Sequence, residues 1–296
     1  MDINYELYKV FYHVAKTLSF SEAASVLFIS QSAVSQSVKV LERRLGQTLF
    51  VRSTKRVTLT KEGEMLFKHI EPAINLISKG ENQLVNARSS GGMQLRIAAS
   101  DTICRYYLVP YLNQFHKTFP EVHIKVMNGT SLNCAELLSE NAVDFIVANS
   151  PNPALNNSMQ IETLREFSDV FVANPAYFNY NGEELSFEQL SSLPILMLDK
   201  HSTTSEYLHE QFLSHSVELA PAIELSSNDL LIDLAAIGLG IAFVPDYCVE
   251  GKIGGNLYKI QTKDRLPKRK LVLAYDSTLP ISEPTDYFMK LLLKKN

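Results

Sequence analysis

Apolar residues recur at helical spacing through the first 45 residues of the chain. The first group follows the i, i+3, i+4, i+7 pattern of an amphipathic helix over residues 3–17: Leu7, Val10, Phe11 and Val14. Ser19 can cap a short second helix. After a break, Ser30 can cap a third helix over residues 31–45, which Gly46 ends. Two short helices joined by a tight turn predict a helix-turn-helix, whose second helix can lie in the DNA major groove.

The outward face of the third helix is polar but carries short side chains. With the cap, it comprises Ser30, Gln31, Ser32, Ser35, Gln36 and Lys39. Such groups can hydrogen-bond base edges or phosphates without holding the helix out of the groove. The alternative is an ordinary solvated helix face. The tight turn and the basic residues that follow favour DNA binding.

Two short β-prone runs follow, on either side of a polar and basic tip. This pattern predicts a hairpin that ends near residue 60, the wing of a winged helix. Its basic side chains could reach the phosphate backbone or the minor groove: Arg52, Lys55 and Arg56. We therefore expect them to add affinity that is sensitive to salt and independent of sequence.

An apolar seam with alternating steps of four and three residues follows the wing. It comprises Leu66, Ile70, Ala73, Ile77, Gly80, Leu84 and Ala87. This heptad spacing predicts a dimerisation helix over residues 61–88, and the alternative is a core helix of a monomer. Pro72 should kink or interrupt the helix, and Gly80 should weaken it by about 1 kcal/mol relative to Ala. A short hinge is expected to end at residue 92.

Strands and helices alternate in the rest of the chain. Apolar runs at 95–100, 122–126 and 144–148 predict strands, and helical segments between them indicate a parallel α/β sheet. A second series of β-prone and helical segments begins near residue 161. The pattern predicts two α/β lobes with a cleft between them.

Charge is distributed unevenly along the 296 residues, whose formal net charge is −4. Residues 1–60 hold eight Lys or Arg against four Asp or Glu, so an acidic body follows a basic N-terminal unit. No window resembles a membrane span or a secretory signal, and the three cysteines are scattered. These features predict a cytoplasmic protein without a disulfide framework.

The chain resembles the LysR-type transcriptional regulators. The N-terminal residues that carry the resemblance are Phe11, Ala15, Ser19, Phe20, Ala23, Ala24, Ser30 to Ser35, Leu41, Glu42, Leu45, Gly46, Leu49, Phe50, Arg52, Leu59, Thr60 and Gly63. A looser likeness covers the body, through Leu108 to Pro110, Phe119-Pro120, Gly129-Thr130 and the run from Gly238 to Pro245.

This resemblance implies an α/β protein with three parts. They are an N-terminal winged helix-turn-helix (1–60), a dimerisation linker helix and hinge (61–92), and a two-lobed α/β regulatory domain of periplasmic-binding-protein type (93–296). Lobe one would comprise 93–162 and 266–296, and lobe two 163–265. It further implies that the protein binds double-stranded promoter DNA, forms a homodimer or homotetramer, and binds a small-molecule effector between the lobes.

Polar residues follow several predicted strands and open the next helices. In doubly wound sheets such positions lie beyond the carboxyl ends of the strands, where ligands bind. The expected effector-binding residues are Ser100, Asp101, Thr102, Thr130, Ser131, Asn149, His201, Ser202, Thr203 and Asn228. Helix starts suit an anion or a carboxylate. The alternative for each Ser or Thr is plain helix capping, and for His201 a solvated loop position.

Other classes of function find less support in the sequence. A solute-binding protein would need a signal peptide, and no P-loop, GxSxG, HExxH or metal-spaced Cys/His motif points to an enzyme. We predict no catalytic residue, no metal and no cofactor. Redox sensing through a cysteine is a minor alternative, and Cys104, Cys134 and Cys248 are expected to be small buried residues.

Overall fold

The computed structural model describes residues 3–52, 56–90, 93–156, 158–180 and 182–294. The side chains of Arg52, Lys79 and residues 82–90 lie outside this description. The chain divides into two compact units, Met1–Val85 and Asn86–Asn296.

The first unit opens with the three predicted helices, α1 (Tyr5–Thr17), α2 (Phe20–Leu27) and α3 (Gln31–Leu45). The Ser19 hydroxyl accepts a hydrogen bond from the third N–H of α2 at 3.2 Å, and the Ser30 hydroxyl does the same for α3 at 3.2 Å. Each cap satisfies a helix N–H that has no partner within its helix. Gly46, with φ of 68°, ends α3 in the left-handed conformation that glycine adopts readily.

A small apolar core holds these helices against the predicted hairpin, which consists of β1 (Phe50–Arg52) and antiparallel β2 (Val57–Leu59). The buried core residues are Val10, Phe11, Val14, Ala15, Phe20, Ala23, Ala24, Val34, Val38, Leu41, Leu49 and Phe50. The Glu42 carboxylate accepts hydrogen bonds from the N–H groups of Leu49 and Phe50, at 2.8 and 3.3 Å. This contact fixes the start of the wing to the end of α3.

Helix α4 (Lys61–Ser90) continues through Pro72, so the expected interruption does not occur. Proline has a helical φ but lacks one backbone donor and crowds the preceding turn. Its cost therefore falls on one turn, and the helix continues on both sides of it. Leu66 and Ile70 pack on the core of the winged helix, whereas Ile77 is 43% exposed. The last seam positions, Leu84 and Ala87, have side chains outside the described part, and the glycines of the hinge at 91 and 92 lie outside the described residues.

The first sheet of the second unit has five strands in the order β4-β3-β5-β13-β6. They are β3 (Gln94–Ala99), β4 (His123–Asn128), β5 (Phe145–Ser150), β6 (Gln160–Phe167) and β13 (Arg269–Tyr275). The first three are parallel, and β13 runs antiparallel to both β5 and β6. This lobe also contains α5 (Asp101–Ile103), a π-helical turn (Cys104–Leu108), α6 (Val109–Thr118), α7 (Ser131–Ser139) and α11 (Glu283–Leu293).

The second sheet has six strands in the order β10-β9-β11-β7-β12-β8. They are β7 (Asp169–Ala173), β8 (Glu184–Leu185), β9 (Ile195–Leu198), β10 (Ile223–Leu225), β11 (Ile241–Pro245) and β12 (Tyr258–Thr262). Strands β10, β9 and β11 are parallel, and β7 runs antiparallel to β11 and β12. The helices of this lobe are α8 (Phe187–Ser191), α9 (Thr203–Ser214), α10 (Asn228–Ala236) and a 3₁₀ turn (Asp246–Cys248).

The chain crosses between the lobes at residue 168 and again between Thr262 and Arg269. The division expected between residues 162 and 163 is wrong, because β6 pairs with β13 as far as Phe167. At this crossing the fully buried Arg269 and Asp169 form a bidentate ion pair, with both N···O distances at 2.6 Å. The strand register therefore sets the lobe boundary, which the β-prone character of residues 161–165 alone did not reveal.

Candidate DNA-binding face and effector cavity

The predicted DNA-binding residues of α3 lie on its solvent side. All are exposed except Ser35, which is half-buried. The Ser30 hydroxyl, which caps α3, lies 2.9 Å from the Ser32 hydroxyl. Capping and DNA contact are compatible at Ser30, because a hydroxyl that accepts one hydrogen bond can donate another.

The wing is only partly described. Arg56 is exposed, Lys55 lies outside the described residues, and so does the side chain of Arg52. The turn before α3 holds a further exposed residue, which the sequence analysis does not include among the candidate DNA-binding residues. Phe28 ends α2 with φ of 54°, and 95% of its side chain is exposed. An aromatic residue at a position that favours glycine or asparagine is the sequence signal that could have drawn attention to it.

A cavity of about 310 Å³ lies between the two lobes of the second unit. Its wall includes every predicted effector-binding residue except His201: Ser100, Asp101, Thr102, Thr130, Ser131, Asn149, Ser202, Thr203 and Asn228. The loop residue His201 is exposed, and its backbone N–H donates to Asp199 at 3.2 Å. The structure thus brings together side chains from five separate strand ends.

Several of these hydroxyls also cap helices, as the alternative interpretation expected. Ser100 accepts from the Ile103 N–H at 3.3 Å, and Thr130 accepts from the Asn133 N–H at 3.2 Å. Ser202 accepts from an N–H of α9 and donates to the Asp199 carbonyl, so its hydroxyl hydrogen is already engaged. Thr130 and Ser202 place the N-termini of α7 and α9 at the cavity, and the N-terminus of α10, capped by Ser227, also lies there. Free N–H groups at these helix starts favour an anion.

Buried polar atoms in the cavity wall have no partner in the described part of the chain. They are the side-chain oxygens of Asn149, Asn228 and Tyr247. The Asn149 backbone is fixed, because its N–H donates to the Ser131 hydroxyl at 3.0 Å. Burial raises the pKa of Tyr247 well above its usual value, so its hydroxyl stays protonated and can donate. Unsatisfied buried groups are costly, and a bound polar ligand is one way to satisfy them.

The charged residues of the cavity wall are acidic. Asp101 and Asp199 line it, and no Lys or Arg of the described residues does so. An anion there would depend on helix N-termini and hydroxyl donors, without a guanidinium or ammonium partner. Asn128, Thr204, Ser226, Ser227 and Tyr247 also line the cavity and are not among the ten expected effector-binding residues. Most follow the same strand ends, so the rule that found their neighbours could have found them.

Polar contacts cross between the lobes beside the cavity. The Asn228 amide donates to the Thr102 hydroxyl at 3.0 Å. Next to it, the Tyr106 hydroxyl donates to Asp229 at 2.5 Å and accepts from Lys252 at 2.7 Å. Nothing in the spacing of these residues along the chain indicated that they meet.

Burial raises the pKa of all three cysteine thiols. Burial, with the nearby Asp101 carboxylate, raises the pKa of Cys104 to about 11. Burial, with the neighbouring Cys104, raises the pKa of Cys134 to about 12. Burial also raises the pKa of Cys248. Cys134 and Cys248 are buried as expected, whereas Cys104 is only half-buried. Because the thiolate is the reactive form, the raised pKa values favour the packing role over redox sensing.

Two family models match the chain and together span nearly all of it. The model described as "Bacterial regulatory helix-turn-helix protein, lysR family" matches residues 5–64, and the one described as "LysR substrate binding domain" matches residues 88–296. The chain belongs to the LysR family of transcriptional regulators. It is therefore a DNA-binding regulator with an effector-binding domain, as the sequence predicts.

Relatives and solved structures align along most of the chain. A probable RuBisCO transcriptional regulator of Thalassiosira pseudonana is 24% identical, over 97% of this chain and 96% of that protein. Vibrio fischeri DarR, solved in complex with DNA, has a TM-score of 0.58 at 19% identity and covers 100% of both chains. The regulatory domain of Synechocystis PCC6803 CcmR, solved in complex with 2-PG, has a TM-score of 0.62 at 18% identity and covers 69% of this chain and 99% of that one. At these identities the structures show a shared fold.

Within the described part of this LysR-type regulator, the helices are too short or too polar to cross a membrane.

Proposed function

We propose that this LysR-type regulator reads promoter DNA through the outer face of α3 and senses a small effector in the cavity between its lobes. The cavity is the observation that carries the proposal, because residues from both lobes form its wall and a ligand there would contact both. Effector binding then changes the angle between the lobes and, through contacts between subunits, the spacing of the two DNA-binding heads. The protein acts in the cytoplasm as a homodimer or homotetramer.

The chemistry of the wall narrows the class of effector. Helix N-termini and hydroxyl donors suit a carboxylate, and a singly charged one fits best because Asp101 and Asp199 would repel further negative charge. Buried amide oxygens at Asn149 and Asn228 favour a ligand that also carries a hydroxyl or amino donor. We therefore expect a small hydroxy acid or amino acid. The structure of CcmR with 2-PG shows that a small ligand can be bound by a domain of this fold.

Thr102→Ala tests the effector site. We expect it to abolish the response to an effector and to leave DNA binding intact, because Thr102 lines the cavity and lies in the unit that lacks the helix-turn-helix. Thermal shift with a panel of hydroxy acids, amino acids and dicarboxylates measures binding, since a ligand of the native state raises the melting temperature.

Thr118→Ala, at an exposed threonine of the same lobe away from the cavity, is the matched control. A compound that shifts the melting temperature of the parent and of both variants equally would exclude Thr102 from the site.

Gln36→Ala tests the DNA-binding face. The exposed Gln36 side chain can make a bidentate contact with adenine, a contact that contributes about 1–3 kcal/mol of discrimination between bases. Competition gel shifts with operator and scrambled DNA should show discrimination reduced and nonspecific binding retained. The control is Gln114→Ala, an exposed glutamine in the other unit. Unchanged discrimination in Gln36→Ala would contradict its assignment to the recognition face.

A further inference from the structure

The first lobe contains a π-helical turn at Cys104–Leu108, directly after the residues that line the cavity. Its defining bond runs from the Val109 N–H to the carbonyl of Cys104, five residues earlier. Pro110 explains this turn, because it has no N–H to donate to the carbonyl four residues before it. Such turns insert an extra residue into a helix and are frequent at functional sites.

The π-helical turn presents Tyr106 to the second lobe. There Lys252 donates to Asp229 at 3.2 Å, and these two residues form an ion pair within lobe two. The Tyr106 hydroxyl joins the pair by donating to Asp229 at 2.5 Å and accepting from Lys252 at 2.7 Å. We name these three residues the interlobe latch.

Electrostatics favours the charged form of both members of the pair. Although burial alone would raise the pKa of Asp229, hydrogen bonds from Tyr106 and Lys252 and the charges of Lys252 and Arg105 lower it below the usual value. Burial alone would lower the pKa of Lys252, yet its hydrogen bonds to Tyr106 and Asp229 raise it. The Tyr106 hydroxyl therefore bonds to two ions at once, and such charge-assisted bonds are stronger than neutral ones.

The latch is connected to the cavity through the chain on both sides. Asp229 follows Asn228, and Tyr106 follows Thr102 by four residues on the same helical segment. Asn228 and Thr102 both line the cavity and hydrogen-bond to each other between the lobes. A change in the separation of the lobes thus affects the latch and the cavity wall together.

We propose that Tyr106, Asp229 and Lys252 are positioning residues, which hold the two lobes at the separation that forms the effector cavity. They touch no effector and act through the Thr102–Asn228 contact. The consequence for effector affinity rests on the proposed function. The affinity of a ligand falls in proportion to the population of the conformation that can bind it, so loss of the latch weakens effector binding.

Tyr106→Phe is the most selective variant, because it removes the two hydrogen bonds that the Tyr106 hydroxyl makes to the second lobe. It leaves the Lys252–Asp229 pair, the Arg105–Asp229 ion pair at 3.4 Å and the Asn228–Thr102 bond in place. Tyr287→Phe is the matched control, since the Tyr287 hydroxyl pairs with Thr118 at 3.3 Å within lobe one. A second comparison sets Lys252→Met against the control Lys290→Met. In the parent protein Lys290 pairs with Asp286 inside one helix of lobe one. Circular dichroism and thermal melting establish that each variant is folded.

Pulsed electron paramagnetic resonance between spin labels measures the separation of the lobes without any effector. Lys117→Cys on α6 and Glu210→Cys on α9 place labels at exposed positions of the two lobes. The native cysteines are buried or half-buried and have raised pKa values, so they label slowly. Labelled full-length chains are diluted with excess unlabelled chains to remove distances between subunits.

We expect a narrow distance distribution in the parent and in both controls. Tyr106→Phe and Lys252→Met should each add a second, longer distance. The population at this distance, relative to the population at the first, should rise by about tenfold. Distributions of both latch variants that match their controls would overturn the proposal. Because the measurement uses no effector, a wrong assignment of the effector cavity would leave its result unchanged.

Discussion

Single residues in this regulator take on roles that depend on what surrounds them. Ser30, Ser100 and Thr130 lie where polar residues could bind a ligand, and each also caps a helix. Residue type cannot separate the two roles, because the same oxygen serves both. Asn149 and Asn228 are more informative, since each is buried and its amide oxygen has no partner among the described residues.

The reactivity of Cys104 is a prediction at this scale. Its pKa of about 11 keeps the thiol protonated at neutral pH, so alkylation by iodoacetamide at pH 7.5 should be about two orders of magnitude slower than for an ordinary cysteine. The rate should increase about tenfold per pH unit up to the pKa, in step with the thiolate fraction. Mass spectrometry of protein alkylated at several pH values from 7.5 up to the pKa measures this rate.

The exposed thiol introduced by Lys117→Cys provides the reference rate within the same lobe. Equal alkylation of Cys104 and of this introduced thiol at pH 7.5 would show that the Cys104 thiol is activated and would restore redox sensing as a candidate.

Individual elements follow the sequence pattern closely when their own residues specify them. α3 spans the predicted residues because Ser30 and Gly46 mark its ends. α4 departs from the pattern. The whole apolar seam was expected to pack on one partner helix. Instead, Leu66 and Ile70 pack on the winged helix, while Leu76 and Ile77 are 46% and 43% exposed. The exposed residues are those available for the predicted dimerisation.

Two glycines of α4 should respond in opposite ways to alanine. A Cβ at Gly63 would lie 2.2 Å from the Leu49 carbonyl oxygen, whereas a Cβ at Gly80 would meet nothing within 4 Å. We expect Gly63→Ala to destabilise the protein by about 1–3 kcal/mol through overpacking. Gly80→Ala should stabilise it by up to about 1 kcal/mol, because alanine is the better helix former.

Urea unfolding at a fixed protein concentration measures both changes, since an oligomer gains stability with concentration. A Gly63→Ala variant as stable as the parent would mean that α4 need not approach the wing so closely.

At the scale of the second unit, the crossing between the lobes depends on one buried ion pair. Arg269 bonds to both oxygens of Asp169 and donates to Thr204 at 3.0 Å, and its guanidinium stacks 4.9 Å from the rings of Phe167 and Tyr207. These contacts join residues of both sheets at the point where the chain changes lobe. Thr204 also lines the cavity, so the crossing and the cavity share a wall.

Asp169→Asn should destabilise the protein by about 3–5 kcal/mol, because it leaves the buried guanidinium of Arg269 without its counter-charge. Asp286→Asn is the matched control. It breaks the exposed pair with Lys290 and should change the free energy of unfolding by no more than about 0.5 kcal/mol.

Chemical denaturation of the two variants gives the comparison directly. Equal losses of stability would mean that the buried pair is no more important than a surface one.

The sequence by itself determined the local features of this regulator. Helix α3, the wing, the alternating strands and helices, and the polar strand ends that line the cavity all follow from residues that are near neighbours in the chain. Hydrophobic periodicity, caps and turn residues act over this short range, and they do not depend on the rest of the fold. The density of such features across the first sixty residues also sufficed to indicate the family.

Tertiary structure decided what residues distant in sequence do together. Asp169 meets Arg269, and β6 extends to Phe167, because strands far apart in the chain pair in one particular register. Tyr106 meets Asp229 and Lys252 because the two lobes come together beside the cavity. No periodicity encodes a contact across 100 or more residues, since that contact exists only after both lobes have formed. The same reason separates His201 from the cavity: its loop turns outward after β9, although its neighbours Ser202 and Thr203 line the wall.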